Sequence, residues 1–161
     1  MPDDEHPPTT ERELAFVEDF ALAMERLGLV RMTGRVIGWL LICDPPEQTF
    51  AQIADALQAS KGSISTALKF LTTAGWAQRR SRPGDRKDYY SIKTGAMVDL
   101  IRQQSVQYAG FADFLGKSLD ELDAPQRTGR LQEMHELFDW IGREMPALVA
   151  RWDREHPRSS G

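Results

Sequence analysis

Disulfide chemistry is the first thing this sequence excludes. It contains one cysteine, Cys43, in 161 residues, so no internal disulfide can form and a reducing compartment is expected. Cys43 closes an apolar run with no neighbouring charge to lower its pKa. It therefore reads as a small buried hydrophobe ahead of a redox sensor. Histidine is equally scarce. His6, His135 and His156 lie far apart and make no zinc ligand set. His135-Glu136 opens like a metalloprotease helix, but Asp139 stands where the second histidine belongs. Ser60-Lys61-Gly62-Ser63 lacks the upstream glycines of a phosphate loop. No enzyme, metal site or cofactor is expected. Long apolar runs are missing too: Ile37 to Cys43, with Gly38 inside it, is far too short to span a bilayer. The first residues are acidic where a secretory signal would be basic and then apolar, so a cytoplasmic location is expected.

A net charge of −4 argues against an anionic partner until its distribution is considered. Between Gln58 and Lys93, eight lysines and arginines face only Asp85 and Asp88, a local +6 that leaves −10 for the remainder. A basic footprint on an acidic chain suits a nucleic-acid surface, because repulsion elsewhere helps fix orientation. A solvated basic loop is the plainer alternative. Charge alone does not separate the two.

The hydrophobic fraction of 41% and charged fraction of 27% belong to a folded globular chain. Residues 1–10 are rich in proline and acid and have nothing to bury, so a disordered tail is expected. From Glu11, the residues Leu14, Val17, Ala21 and Met24 recur at helical spacing, widened by Phe16, Phe20 and Leu27, and Gly28 closes the helix. A second helix, apolar nearly all round, is expected from Thr33 as N-cap to the stop at Asp44-Pro45-Pro46.

The centre of the chain carries the clearest pattern. Thr49 and Gln52 fit a capping box, and Phe50, Ile53, Ala54 and Leu57 then share one helical face. Gln58-Ala59 turns the chain and Ser60 caps a further helix. Two short helices around so tight a turn are the helix-turn-helix signature. On the second, Ile64, Ala67, Leu68 and Leu71 face inward. Gly62, Thr66, Lys69 and Thr73 face outward, flanked by Ser63 and Ser65. Hydroxyls and lysines can bond phosphates or base edges, a glycine lets backbone approach the duplex, and the helix N-terminus attracts a phosphate. After Gly75, the stretch Trp76 to Arg80 reads as a strand and Ser81 to Asp85 as a Pro-Gly turn. Arg86 to Ile92 reads as the returning strand of a basic hairpin.

Two long striped helices should follow. The first, capped by Thr94, carries Met97, Ile101, Gln104, Tyr108, Phe111, Leu115 and Leu122, with a weak point at Ser118-Leu119. The second starts near Asp123 as N-cap and carries Leu131, Met134, Phe138, Ile141, Met145, Leu148 and Trp152, kinked or divided by Pro146. So much apolar surface exceeds what one small domain covers, which points to a second copy of the chain.

This order of elements resembles the MarR-type regulators, and the wording of the motif region is closest to the GbsR-like branch. The residues that carry it are Gly34 to Leu41, Ala59 to Ser65, Gly75-Trp76 and Pro83 to Tyr90. The resemblance implies a dimer intertwined through its first and last helices, a recognition helix from Lys61 to Thr73, and a wing tip from Arg82 to Lys87. Wings of this type commonly carry Asp-x-Arg, the aspartate steadying an arginine in the minor groove. Here Asp85-Arg86-Lys87 puts lysine third, so either Arg86 or Lys87 takes that role.

The expected fold is mainly α, a winged helix-turn-helix with a small β-hairpin wing and a helical dimerisation region from both chain ends. Its expected parts are a tail (1–10), an N-terminal dimerisation helix (11–32), the DNA-binding domain (33–93), two dimerisation helices (94–152) and a tail (153–161). The expected function is a homodimeric transcriptional regulator bound to a pseudo-palindromic double-stranded operator, associated with the nucleoid. Repression, relieved by a small-molecule effector, is the expected mode. Candidate DNA contacts are Ser60, Lys61, Gly62, Ser63, Ser65, Thr66, Lys69, Arg79, Arg82, Arg86 and Lys87. Trp39, Tyr108 and Trp140 are candidates for an effector pocket between the wing domain and the dimer helices. Aromatic walls suit cations such as choline, although core packing is the plainer role for all three. A winged-helix module that binds an acidic protein is the alternative function.

Overall fold

Helix α1 (Glu11–Arg26) begins where Thr10 and Glu13 form a reciprocal capping box. It ends in a Schellman motif: Gly28 at φ +91° lets Leu29 N–H reach the Met24 carbonyl at 3.1 Å and its own N–H reach Glu25 at 2.9 Å. The computed structural model describes residues 9–122 and 128–157. It divides into two compact units, residues 1–96 and 97–161.

In the first unit α1 packs on α2 (Arg31–Ile42). The helix α2 starts two residues before the expected N-cap, and Thr33 lies buried inside it rather than at its end. Arg31 and Met32 are good helix formers, and Arg31 pairs with Glu18 of α1 at 3.1 Å, which favours the earlier start. Gly34 and Gly38 line the α1 contact. A Cβ at Gly34 would lie 2.9 Å from the Cα of Ala21, so the two backbones approach as closely as the absence of a side chain allows.

A two-residue strand, β1 (Gln48–Thr49), precedes α3 (Phe50–Leu57); no periodicity announced it. Thr49 and Gln52 make the expected capping box. The helix α3 ends on Gln58 in the left-handed region at φ 47°, an uncommon conformation without glycine. Ser60 then caps α4 (Lys61–Thr73) through the Ser63 N–H. Ile53, Leu57, Ile64 and Leu71 are at most 1% exposed and form the core with Val17, Val36, Trp39 and Leu40. Full burial of each aliphatic side chain is worth about 1.5–3 kcal/mol, so this apolar face fixes α3 against α4.

A hairpin of β2 (Ala77–Ser81) and β3 (Asp88–Ile92) completes the unit. The sheet order is β1-β3-β2, antiparallel throughout, with Gln48 opposite Tyr90 and Ser81 opposite Asp88. The return strand starts two residues later than its alternation implied. Asp85 captures the Lys87 N–H at 2.9 Å and so takes Arg86 and Lys87 into the loop. Residues Arg82 to Asp85 form a turn closed by Asp85 N–H to the Arg82 carbonyl at 3.1 Å, with Gly84 at φ +80° after Pro83, the signature of type II.

The second unit is a helical hairpin of α5 (Ala96–Leu122) and α6 (Gly129–Glu155). Thr94 does not cap α5. It sits in a turn with Gly95 at φ +77°, and the helix begins at Ala96. The helix α5 runs unbroken through Ser118, whose hydroxyl bonds the Phe114 carbonyl. Likewise α6 continues undivided through Pro146 and ends at Glu155, past the last striped residue, Trp152. The expected N-cap Asp123 and residues 1–8 and 158–161 of the two expected tails lie outside the described residues, whereas residues 153–155 of the second expected tail continue α6 as helix. Pairing of Gly116 with His135, Ala109 with Gly142 and Arg102 with Asp153 makes the hairpin antiparallel. Phe138 packs edge-on against Phe111 at 4.8 Å and against Tyr108 at 5.5 Å.

Candidate nucleic-acid interface

The outward face of α4 is as its spacing implied. Lys61, Gly62, Ser65, Thr66 and Lys69 are exposed, Ser60 is exposed at the cap, and Ser63 is half-buried. Their hydroxyls are not equivalent. Ser60 and Ser63 bond each other at 2.7 Å, and Thr66 donates to the Gly62 carbonyl at 3.0 Å. Among the described residues no hydrogen bond or ion pair occupies the side chains of Lys61, Ser65 or Lys69. Those three side chains are available to a ligand in full. A Cβ added at Gly62 would meet nothing within 4 Å beyond its own helix backbone and chain neighbours, so the first turn of α4 offers open backbone. Its unpaired N–H groups and partial positive charge complete a surface that suits phosphate.

The wing divides its cations into two groups. Arg79 lies 3.6 Å from Asp88, Arg80 lies 3.6 Å from Glu47, and Arg82 lies 2.9 Å from the other oxygen of Glu47. The Arg82 guanidinium also stacks 3.9 Å over the Tyr89 ring, and the Glu47 bond pushes its pKa further up. Arg86 and Lys87 are exposed, and no side-chain partner holds either among the described residues. The charge run therefore looked uniform in sequence but is not uniform in space.

Among the described residues no ion pair joins Asp85 to an arginine. Its two oxygens accept the Lys87 N–H and, at 2.8 Å, the Tyr89 hydroxyl, and these two bonds hold its carboxyl below the usual range. The aspartate shapes the loop, and Arg86 projects from it. Glu47, Arg80 and Tyr89, none of them among the candidate DNA contacts, also belong to this wing surface. Only the β1–β3 register brings Glu47 to the wing.

The three aromatic effector candidates lie in different surroundings. Trp39 is 2% exposed in the core of the first unit. Tyr108 packs on Phe138 inside the helical hairpin, and Trp140 is 56% exposed on α6. Cys43 is buried, and burial pushes its thiol pKa up to about 11. None of the described helices is long and apolar enough to cross a membrane.

A helix-turn-helix whose second helix keeps one face exposed, combined with a three-stranded sheet whose hairpin presents unpaired cations, defines a winged-helix protein. Comparison narrows the class. Residues 27–88 match a model of the MarR family, and residues 95–155 match one described as MmpR5-like MarR family transcriptional regulator. The chain is 34% identical over 143 residues to the HTH-type transcriptional regulator MmpR5 of Mycobacterium tuberculosis (strain ATCC 25618 / H37Rv), covering 88% of this chain and 87% of that one. A crystal structure of a transcriptional regulator superposes with a TM-score of 0.74 at 32% identity, over 89% of this chain and 99% of the other. The chain belongs to the MarR family of transcriptional regulators.

Proposed function

We propose that this protein is a homodimeric repressor that binds a pseudo-palindromic site in double-stranded DNA. The observation that carries the reading is the set of exposed, unpaired side chains at Lys61, Ser65 and Lys69 on α4, with Arg86 and Lys87 on the wing. The helix enters the major groove, Gly62 lets backbone approach, Ser60, Ser63 and Thr66 line the entry, and the wing tip reaches the flanking minor groove. Dimerisation is supported by apolar surface that one copy leaves uncovered. Val106, Phe114, Leu137, Trp140 and Leu148 are each more than half exposed on the helical hairpin. Two copies of α4 would then sit about 34–36 Å apart, one helical turn of DNA.

The protein acts in the cytoplasm and carries out no catalytic step. Release by a small effector follows from the same proposal. The narrower likeness to the GbsR-like branch rests on motif wording alone, and it makes a quaternary amine the first ligand to titrate against tryptophan fluorescence.

Footprinting on a duplex enriched from a random pool tests the reading. Two-fold protection that weakens steeply with salt supports it. No duplex binding at low salt overturns it in favour of a module that docks an acidic protein.

A further inference from the structure

Glu47 bridges two arginines of the wing hairpin. Its two carboxylate oxygens face Arg82 at 2.9 Å and Arg80 at 3.6 Å, and Arg82 is clamped from its other side by the Tyr89 ring at 3.9 Å. The carboxylate is not on a loose loop. The next two residues pair with Tyr90 and Tyr89 in β1, Gln48 is fully buried with its amide donating to the Pro45 carbonyl at 2.8 Å, and Thr49 caps α3. The backbone thus holds Glu47 against the wing from an element that is itself anchored to the core.

We propose that Glu47 is a specificity-determining residue. It occupies Arg80 and Arg82 and keeps them out of the phosphate contacts that any duplex can offer, so that sequence-independent binding falls to Arg86, Lys87 and the α4 lysines. This inference rests on the DNA-binding reading above. Its physical basis is counterion release. A cation already paired with a carboxylate at contact distance, well inside the ~8–10 Å screening length, gains little by moving to a phosphate. Exposed ion pairs contribute little to folding. The consequence of this one therefore lies in how much positive charge the wing presents. A regulator must discriminate against a large excess of unspecific sites, and lowering the unspecific term raises that ratio.

The experiment measures binding of the full-length protein to two duplexes, one of mixed sequence and one enriched from a random pool by the wild-type protein, across a series of salt concentrations. Glu47→Gln is expected to steepen the salt slope on the mixed duplex by about 0.9 for each released arginine that reaches a phosphate, up to two equivalents. It should tighten that binding on the order of three- to tenfold at low salt, with a smaller gain on the enriched duplex. The triple variant Glu47→Gln, Arg80→Ala, Arg82→Ala should lose the added slope, and the urea midpoint of Glu47→Gln should match the wild type. An unchanged slope in Glu47→Gln, an added slope that persists in the triple variant, or an equal change in affinity on both duplexes overturns the proposal while leaving DNA binding intact. Failure of the wild type to bind either duplex overturns the DNA-binding reading, and this inference with it.

Discussion

Arg35 Nη2 donates to the backbone carbonyl of Leu57 at 2.9 Å, tying α2 to the last turn of α3. The same guanidinium lies 2.7 Å from Glu18 of α1 through Nε, a contact too poorly aligned to count as a hydrogen bond. One half-buried side chain thus joins three helices, and it satisfies a helix-terminal carbonyl beside the turn that sets α4.

Replacing Arg35 should therefore cost more than a surface arginine does. Arg35→Ala is expected to lower stability by roughly 1–3 kcal/mol, because a charged hydrogen bond is lost and a carbonyl is left unpaired. Arg35→Lys should recover only part of this, lacking the fork that reaches two partners. Urea denaturation of the three proteins measures both.

Two helical glycines make opposite predictions. Gly62→Ala should raise stability by about 0.5–1 kcal/mol, since α4 gains a better helix former in open space. Gly34→Ala should lower it despite the same propensity gain, because its Cβ would press on the Ala21 backbone at 2.9 Å. Thermal melts of the pair decide the matter. If Gly62 admits duplex backbone, the stabilised variant should also bind DNA more weakly.

Cys43 should be inert in the folded chain. Its burial raises the thiol from its ordinary value of 9.0 to about 11, so native protein should resist iodoacetamide at pH 8 and react promptly in urea. The linkage has a definite sign. The folded state keeps a proton that the unfolded thiol releases, so this group costs stability as pH rises from about 9 towards 11 and has no effect well below that window.

For DNA, the unpaired cations are the ones to remove. Lys69→Ala and Arg86→Ala should each weaken binding by roughly 1–3 kcal/mol if each makes a specific contact. A mobility-shift titration checks this, and unchanged affinity in both would take them out of the interface.

Much of the fold was legible because its signals are local. The Thr49–Gln52 box, the Ser60 cap, the Gly28 stop and the Pro83-Gly84 turn each involve groups within a few residues. The errors were local signals outvoted by their surroundings. Thr33 is an acceptable cap residue, but the Arg31 pairing with Glu18 favoured an earlier helix start. Thr94 was displaced by the turn at Gly95. The strand β1 was illegible because two residues carry no period.

Alone, the amino-acid order determined which segments become helices, where α1 and α2 stop, and which face of α4 stays polar, since backbone capping and apolar spacing act over one or two turns. The tertiary structure decided which of the wing cations remain available. Glu47 meets Arg82 across 35 positions of chain, and Arg35 meets Leu57 across 22. Such pairings follow from strand register and helix packing, so a sequence that shows only a basic run cannot tell a neutralised arginine from a free one.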